Sequence, residues 1–423
     1  MLDKIKGGLF GLAIGDALGG TTEFMTKEEI KEKYGSVNEI IGGGYWGLKP
    51  GETTDDTAMT VAVALGIMAN SNHPIEEIGK RFLRWQNSDP KDIGVTIRTV
   101  FENYNGDWFK AAEEAHHNLN GLSAGNGSLM RCLPVVLAYS DKKKINEMAT
   151  LQSKMTHFDD LAAEACVIYS NIALRLLEGE ELRTVILKET KNTRYASSLY
   201  EEPDCPPDGY VVHTMKWVLH WLFTSNTFEE VVVGATNMGN DSDTIAAIAG
   251  SLKGLEVGFN SLPLILKNKL LGRNELRELA NVFIEIRDKD TLLIQGNTQT
   301  YISDLEDQTN KLIKLNDQRV SYKELVMVIE SIKKNVYLLR ITLQVDDEEY
   351  EKKLVTWMMI ENRYRRSRRL FDLGAPLIII KHELDWLLTM IDHMNKRLQG
   401  IEPQFTEDQL EEFEMEASIP EIY

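Results

Sequence analysis

Two short stretches, far apart in the chain, each place a pair of carboxylates beside threonine hydroxyls at the start of an apolar helical pattern. They are Glu52–Met59 and Gly239–Ala246. Carboxylate and hydroxyl oxygens are the ligands that hard divalent cations such as Mg²⁺ prefer. Clustered like charges repel one another unless a cation offsets them, which favours a cation beside each stretch. If both stretches bind the same cation site, the fold has to bring them together.

Each stretch alone has an ordinary explanation. Aspartate and threonine at a helix start cap the free backbone amides and suit the positive end of the helix dipole. A cap needs only one acceptor, however, whereas each stretch packs two carboxylates and a hydroxyl into four residues. The doubled pattern therefore predicts a metal site divided between two distant segments rather than two separate helix caps.

The whole-chain composition limits the class of protein. A length of 423 residues predicts two domains, and a net charge of -18 argues against nonspecific binding to nucleic acid or to an anionic membrane. The three cysteines form neither a disulfide framework nor a CxxC metal motif; they are Cys132, Cys166 and Cys205. No apolar run reaches the roughly 18 residues of a membrane span, and the short N-terminal run, which contains several glycines, predicts a buried helix rather than a signal peptide. These features predict a cytoplasmic protein.

Helical spacing dominates the first two thirds of the chain, where alternating strand patterns are almost absent. The apolar segment Leu2–Leu18 predicts a central helix packed on every side. Thr26 and Glu29 form a capping-box motif before a short helix that Gly35 can end. Further helices are predicted at residues 58–69, 74–85, 93–104, 108–118, 214–224, 227–236 and 241–258, and another follows His157–Asp160. The predicted fold class of this region is all-α.

A glycine-rich loop, Gly121–Ser128, leads into Leu129, Met130 and Arg131. Glycines at such a place allow backbone amides to approach a phosphate or a ribose closely. A flexible turn explains the same residues equally well, so the loop by itself does not decide between the two.

Beyond about residue 290, glycine and proline nearly vanish and apolar residues recur at alternating steps of four and three. Together with patterns at 298–315 and 347–371, this predicts a C-terminal four-helix bundle or coiled-coil appendage. The predicted domains are therefore 1–288 and 289–423. The basic run Arg363–Arg369 predicts a solvated or partner-facing helix end rather than a nucleic-acid site. The two apolar series are Leu325, Ile329, Ile332, Val336, Leu339 and Leu343, with a cap at Ser321 and Glu324, and Leu377, Ile380, Leu384, Leu387, Ile391, Met394 and Leu398.

Seven motifs of the first domain occur in the order that is typical of one family. They are Gly15–Gly19 with Glu23 and Phe24, Pro50–Thr57, Asp92–Gly94, Gly125–Arg131, Thr156 with His157, Gly209–Val211, and Asn240–Ala246. Over residues 1 to about 285 the chain resembles the ADP-ribosylglycohydrolases, especially the bacterial dinitrogenase-reductase-activating type, which removes ADP-ribose from arginine. The residues beyond 290 lie outside this resemblance.

The resemblance implies a compact, orthogonal all-α domain with a binuclear metal centre that holds two Mg²⁺ or Mn²⁺ ions at the base of a cleft. The implied metal ligands are Thr54, Asp55, Asp56, Asp241, Asp243 and Thr244. Glu23 and Asp92 match the acidic residues of the family near the distal ribose and are the candidate catalytic residues. The implied substrate contacts are Asn126, Gly127, Ser128 and His157, with Tyr210 at the border of the cleft. Considered alone, Glu23, Asp92 and His157 would suggest a surface glutamate, a helix cap and a core histidine.

The resemblance also implies the reaction, which is hydrolysis of the N-glycosidic bond between ADP-ribose and a modified protein. Such cleavage passes through an oxocarbenium-like state, and a carboxylate gives a proton to the leaving group or accepts one from water. The sequence does not divide these roles between Glu23 and Asp92. The segment Asp92–Gly94 favours arginine-linked over serine-linked or small-molecule substrates. Many relatives carry glycine at the position of Asn240, and asparagine tolerates the same left-handed backbone.

The C-terminal helices keep other functions open, because catalysis does not require them. The protein could be an immunity or antitoxin protein that binds an ADP-ribosyltransferase through residues 289–423, with or without reversing the modification. It could also hydrolyse a small-molecule ADP-ribosyl compound. Alternatively, the same helices could serve oligomerisation or the stability of the fold.

Overall fold

The computed structural model of the chain describes residues 1–289, 298–317, 350–372 and 377–404, with residues 328, 329, 331, 332, 335, 336 and 339 in between. The chain divides into two compact units, unit 1 (Met1–Leu293) and unit 2 (Ile294–Tyr423). The predicted domain boundary after residue 288 lies inside the last helix of unit 1, Arg273–Lys289. Separate roles for the two parts stay a prediction.

Unit 1 consists of helices joined by loops of very different length. They are α1 (Leu2–Gly19), α2 (Lys27–Tyr34), α3 (Asp55–Ala69), α4 (Pro74–Asn87), α5 (Val95–Asn103), α6 (Trp108–Asn118), α7 (Leu133–Ala138), α8 (Lys142–Lys154), α9 (Asp160–Glu178), α10 (Leu182–Thr190), α11 (Val211–Thr224), α12 (Phe228–Thr236), α13 (Ser242–Val257), α14 (Leu264–Lys269) and α15 (Arg273–Lys289). Among the described residues there is no strand, only isolated antiparallel bridges at Gly43–Leu48 and Gly125–Tyr210, which confirms the predicted all-α class. None of the described helices combines the length and the hydropathy that a membrane span requires.

Helices α1 and α13 form the centre of unit 1. The second half of α1 is buried on every face, as its apolar sequence predicted, and so is most of α13. Their backbones lie in direct contact, because a Cβ atom at Gly11 would be 2.1 Å from the carbonyl oxygen of Gly250. At the other end of the contact, a Cβ atom at Gly19 would be 2.3 Å from the Cα atom of Asp243. Small residues therefore fix the first turn of α13 against the end of α1.

Capping signals in the sequence mark several helix starts correctly. Thr26 and Glu29 form both hydrogen bonds of the capping box at α2. The side chain of Asp159 accepts a hydrogen bond from the amide of Leu161 and so caps α9. Asn240, just before α13, has a left-handed backbone with φ = 51°. The expectation that asparagine can stand where relatives carry glycine is therefore met by the backbone.

Other boundaries differ from the predictions. The helix predicted at 93–104 begins only at Val95, because Gly94 is its extended N-cap residue and Ile93 belongs to the preceding loop. The helix predicted to begin at residue 214 begins already at Val211. The patterns did not predict α8, α10, α14 or α15. Helix α8, for example, buries Gln152 and Ser153 together with apolar residues, so its inward face does not show a clear apolar stripe.

The described residues of unit 2 include three long helices, α16 (Thr298–Asp317), α17 (Tyr350–Asp372) and α18 (Leu377–Leu398). Helix α18 packs against both α16 and α17. The apolar series predicted for this unit supplies buried side chains: Ile329, Ile332, Val336, Leu339, Ile380, Leu384, Leu387, Ile391 and Met394. The predictions for Leu325, Leu343 and the cap at Ser321 and Glu324 lie outside the described residues.

The basic run of α17 differs from the predicted solvated helix end. Arg363 is only 2% exposed, forms an ion pair with Glu383 of α18 at 3.1 Å, and stacks over the ring of Trp386 at 4.6 Å. Arg365, in contrast, is half exposed and pairs with Glu361 on its own helix. The run therefore contributes to the interior of unit 2 as well as to its surface.

Candidate active site

A cavity of about 530 Å³ is lined by the first residues of α3, α5 and α13 and by the loops that precede α7 and α11. Three helix N-termini therefore contribute to its wall, and their dipoles favour a negatively charged ligand. The acidic residues of the lining are Glu23, Asp55, Asp92, Asp208, Asp241 and Asp243, and within the described residues no lysine or arginine joins them. Because the lining is acidic, the helix dipoles alone would not hold an anionic ligand in this cavity, and a bound cation is needed as well.

The structure brings the two acidic stretches of the sequence together. Thr54, the N-cap residue of α3, donates from its hydroxyl to Asp56 Oδ2 at 3.2 Å and to Asp243 Oδ2 of α13 at 3.3 Å. Thr244 of α13 donates in return to Asp56 Oδ2 at 3.3 Å. Two segments that are almost 190 residues apart in the chain therefore share one network of oxygen atoms.

The electrostatics of this network fit a divalent cation. Burial raises the pKa values of Asp55, Asp56 and Asp243 well above their usual range, and each is raised further by a neighbouring aspartate. Asp56 Oδ1 and Asp243 Oδ1 are buried and lack a hydrogen-bond partner. Buried carboxylate oxygens without a donor are destabilising unless a cation offsets them. The residues present therefore suit an oxygen-ligated metal ion of the Mg²⁺ or Mn²⁺ kind.

Asp16, for which no role was predicted, positions the acidic start of α3. It is fully buried near the end of α1. Its Oδ1 accepts from the amide of Thr54 at 2.8 Å, and its Oδ2 accepts from the amide and the hydroxyl of Thr57 at 2.9 and 2.5 Å. Burial raises the pKa of Asp16 to about 6 even though these hydrogen bonds favour the ionised form. A single acid in an apolar helix gave no sequence signal for this contact.

Glu23 and Asp92, the candidate catalytic acids, lie next to the metal-type cluster. Carboxylate oxygens of Glu23, Asp92 and Asp243 all lie within 4.8 Å of one another. Glu23 is 4% exposed and accepts a hydrogen bond from the indole Nε1 of Trp46 at 2.6 Å. Burial, followed by the charges of Asp243 and Asp92, raises the pKa of Glu23 to about 11. Burial also raises the pKa of Asp92, which hydrogen-bonds with Asp55.

Three of the predicted substrate contacts line the cavity: Asn126, Gly127 and His157. Asn126 donates from Nδ2 to Asp241 Oδ2 at 2.5 Å and to Thr214 Oγ1 at 2.9 Å, which connects the glycine-rich loop to both α13 and α11. The backbone of Gly127 lies against His157, since an added Cβ atom would be 3.1 Å from the imidazole Cε1. Burial, followed by the charge of Arg131, lowers the pKa of His157 to about 3. The imidazole is therefore neutral at physiological pH.

Two other predicted contacts do not line the cavity. The hydroxyl of Ser128 lies in the core, 2.8 Å from Ser153 Oγ and 3.6 Å from Cys166 Sγ. Tyr210 is the N-cap residue of α11, is 38% exposed, and its ring lies edge-to-face on His213 at 4.9 Å. Its neighbours Asp208 and Gly209 do line the cavity. Tyr210 thus stands beside the opening, and Ser128 acts in packing the loop.

Sequence reasoning also missed residues that do line the cavity, chiefly Phe24, Trp46 and Asp208. Phe24 and Trp46 come from separate loops, and only the fold places them beside each other with ring centroids 6.0 Å apart. Asp208 accepts from the amide of Tyr210 at 3.1 Å and lies 2.9 Å from His213 Nδ1. A proline-rich loop with two aspartates was visible in the sequence around Asp208, but nothing there indicated its direction.

Comparison with known proteins agrees with this geometry. Residues 1–292 match the family model described as ADP-ribosylglycohydrolase. The chain belongs to the ADP-ribosylglycohydrolase family. This membership confirms the predicted family and its hydrolase class, and the match ends where unit 2 begins.

Individual relatives give the same result. The chain is 34% identical to the ADP-ribosyl-[dinitrogen reductase] glycohydrolase of Rhodospirillum rubrum, over 62% of this chain and 88% of that protein. It is 28% identical to the ADP-ribosylarginine hydrolase Tri1 of Serratia proteamaculans, over 66% of this chain and 78% of that protein. A solved structure described as an ADP-ribosylglycohydrolase-related protein complex matches with a TM-score of 0.59 at 29% identity, over 67% of this chain and 98% of that chain.

Proposed function

We propose that the protein is a metal-dependent hydrolase that removes ADP-ribose from arginine side chains of mono-ADP-ribosylated proteins. The observation that carries the proposal is the convergence of two distant acidic segments on one cavity, which Asp55 and Asp243 line. Asp56 is linked to Asp243 through the hydroxyl of Thr54, and Asp56 and Asp243 each keep a buried oxygen without a donor. A family of glycohydrolases supplies the reaction class. The cavity supplies the place where an ADP-ribosyl group and its cations fit.

The proposed ligands of two divalent cations are Thr54, Asp55, Asp56, Asp241, Asp243 and Thr244, which lie at the starts of α3 and α13. When bound, Mg²⁺ or Mn²⁺ would hold and polarise ribose and water oxygens. Asp16 keeps the first turn of α3 in place through Thr54 and Thr57. Asn126 holds Asp241 from the other side of the cavity. Rigid support of this kind keeps oxygen ligands in position before the substrate arrives.

Glu23 is the residue we assign to proton transfer. Its carboxylate is fixed by the indole of Trp46 and lies within 4.8 Å of the carboxylates of Asp92 and Asp243, beside the proposed metal ligands. From there it can give a proton to the leaving nitrogen of arginine or accept one from water. Asp92 hydrogen-bonds with Asp55 and with the backbone of Ile93. We therefore assign Asp92 to orienting Asp55 and the ribose, and Glu23 to carrying the proton.

The choice of arginine rests on the names of relatives together with the segment Asp92–Gly94. Two relatives named ADP-ribosylarginine hydrolase Tri1, from Serratia proteamaculans and Pseudomonas putida, are 28% and 29% identical to this chain over 66% of it. A relative named ADP-ribosylhydrolase ARH3, from Gallus gallus, is 21% identical over 67% of it. The segment Asp92–Gly94 lines the cavity. The chain is thus more similar in sequence to the two relatives named for arginine than to the relative named ARH3, which supports arginine as the modified residue.

Release of ADP-ribose from an arginine-ADP-ribosylated protein tests the proposal. The assay is run with Mg²⁺, with Mn²⁺ and with a chelator, beside a serine-linked substrate. We expect metal-dependent release from arginine, and a loss of at least about a thousandfold in Asp243→Ala because several kcal/mol of charge stabilisation disappear. The matched control is Asp160→Asn, whose side chain is 99% exposed on α9. Normal turnover in Asp243→Ala, or release from serine alone, would contradict the proposal.

The proposed reaction does not explain the role of unit 2. The family match ends at residue 292, and unit 2 begins at residue 294. Binding of an ADP-ribosyltransferase or another protein through residues 289–423 stays a prediction, as does the cytoplasmic location. Pull-down with the whole chain and with a chain shortened after residue 292 would compare the two forms, provided that the shortened chain keeps its hydrolytic rate.

A further inference from the structure

Three aromatic side chains form a cluster at the opening of the cavity, here named the aromatic lip: Phe24, Tyr45 and Trp46. Phe24 and Tyr45 have ring centroids 5.0 Å apart, Tyr45 and Trp46 4.8 Å, and Phe24 and Trp46 6.0 Å, all edge-to-face. Phe24 and Trp46 line the cavity. The lip therefore continues the cavity wall outward as a set of aromatic faces and edges.

The lip is exposed although its residues are large and apolar. Phe24 is 58% exposed and Tyr45 is 70% exposed. Trp46 reaches inward, and its indole donates to Glu23, the proposed proton carrier. One end of the cluster thus contacts the reacting region while the other end faces solvent. On this side of the cavity, the lip therefore lies between the surroundings of Glu23 and the solvent.

The backbone holds the lip in a fixed position. Phe24 has a left-handed backbone with φ = 62°, which is uncommon for a bulky residue. The amide of Phe24 donates to the carbonyl of Asn240 at 2.8 Å, and the amide of Asn240 donates to the carbonyl of Met25 at 2.8 Å. These bonds tie the lip to the loop that carries Asp241. The turn with Tyr45 and Trp46 is closed by two hydrogen bonds between Gly43 and Leu48, at 2.7 and 2.8 Å.

We propose that the aromatic lip binds the guanidinium group and the methylene chain of the modified arginine. This inference rests on the proposed function and names the site for the protein side of that substrate. A guanidinium is a flat, weakly hydrated cation that stacks on aromatic faces, and the methylene groups of arginine pack on the same rings. Within the described residues, no lysine or arginine of the cavity wall would repel the guanidinium. A neutral leaving group, such as a serine hydroxyl, gains less from this surface.

Substitution of Tyr45 tests the lip without touching Glu23 or the metal ligands. We expect Tyr45→Leu, which keeps apolar surface but removes the aromatic face, to raise KM for an arginine-ADP-ribosylated peptide about threefold to tenfold. Inhibition by ADP-ribose, which lacks the arginine, should not change. Tyr45→Phe, which keeps the face, should restore the KM of the natural protein. The matched control is Tyr200→Leu, because Tyr200 is 67% exposed and packs edge-to-face on Phe223 at 5.0 Å outside the cavity.

A second measurement does not depend on turnover. The binding of butylguanidine, a free alkylguanidinium, is measured by ligand-observed NMR in protein saturated with ADP-ribose and Mg²⁺, beside its neutral analogue butylurea. We expect butylguanidine to bind more tightly than butylurea and to lose that advantage in Tyr45→Leu. If the natural protein releases no ADP-ribose but butylguanidine binding depends on Tyr45, the proposed function is wrong while the lip still binds a guanidinium. If the protein hydrolyses arginine-linked substrate and neither KM nor butylguanidine binding changes in Tyr45→Leu, the inference about the lip is wrong.

Discussion

Both units of the chain bury charged side chains, and they treat that charge differently. In unit 2, the guanidinium of Arg363 is 2% exposed and pairs with Glu383 at 3.1 Å. In unit 1, Asp56 and Asp243 are buried among other acids, and each keeps one oxygen without a donor. Among the described residues, no lysine or arginine lines the cavity beside this cluster.

The buried charges of unit 2 contribute to packing, whereas the buried charges of unit 1 are arranged to bind a ligand. A buried ion pair offsets its charge within the protein, so its contribution appears in the stability of the fold. A buried cluster of acids is incomplete until a cation arrives, so the unliganded protein is less stable than its packing alone would make it. Four variants, taken in order of decreasing expected effect, sharpen or break this comparison.

The largest effect is expected from Asp56→Asn in unit 1. The amide removes one charge from the cluster, so we expect turnover to fall by about a thousandfold or more while the thermal midpoint of chelator-treated protein rises. Initial rates and thermal unfolding with a chelator measure the two effects. A lower thermal midpoint of Asp56→Asn in chelator would mean that Asp56 stabilises the packing of unit 1. Units 1 and 2 would then use their buried charges in the same way.

Glu383→Leu in unit 2 should give the opposite pattern. It removes the carboxylate that pairs with the buried guanidinium of Arg363, and we expect the free energy of unfolding to fall by about 3 kcal/mol. Turnover should not change as long as the variant is folded. The double variant Arg363→Met with Glu383→Leu should recover most of the stability, since apolar side chains can replace a buried pair. Chemical denaturation measures all three proteins, and a double variant as unstable as the single one would count against the pairing argument.

Trp46→Phe tests a hydrogen bond that positions an acid rather than neutralising it. The phenyl ring keeps the aromatic contact but cannot donate to Glu23, so we expect kcat to fall about tenfold with the fold intact. Trp217→Phe is the matched control, because its indole donates to the carbonyl of Cys205 at 3.0 Å, away from the cavity wall. Equal kcat values for Trp46→Phe and the natural protein would remove Trp46 from the catalytic arrangement.

The smallest effect is expected from His157→Gln, and it depends on pH. Burial lowers the pKa of His157 to about 3, so below about pH 6.5 the unfolded chain binds a proton that the folded chain does not. His157 therefore makes the free energy of unfolding fall as pH falls through this range, by up to about 1.4 kcal/mol per pH unit. The variant should lack this contribution. Denaturation curves at pH 7.0 and about 5.5 give the change in the free energy of unfolding with pH for both proteins. An equal change in the natural protein and in the variant would show that His157 is charged in the folded state.

Parts of the site were visible in the sequence because their signals are local. Asp55 and Asp56 are adjacent at a helix start, and Asp241 and Asp243 repeat the pattern, so their clustering could be predicted without the fold. The resemblance to a known family added Glu23 and Asp92, which no spacing rule would have chosen. Helix α1 was predicted well because its apolar residues and glycines occupy every face.

What the sequence missed depends on tertiary contacts. Asp16 is one acid in an apolar helix, and its role appears only once Thr54 and Thr57 are seen to donate to it. Ser128 was predicted to contact substrate, but the packing of its loop on Ser153 turns the hydroxyl into the core. The aromatic lip joins residues of two loops, so no short stretch of sequence contains it.

The contact between α1 and α13 has a consequence for how the protein is made. These helices are separated by more than 200 residues of chain, and translation proceeds at roughly 5–20 residues per second. An almost entirely apolar helix therefore emerges from the ribosome roughly ten seconds or more before the helix that covers it. During this interval the apolar surface of α1 has no α13 to cover it. Since the first turn of α13 also carries Asp243, the cavity becomes complete only near the end of the synthesis of unit 1.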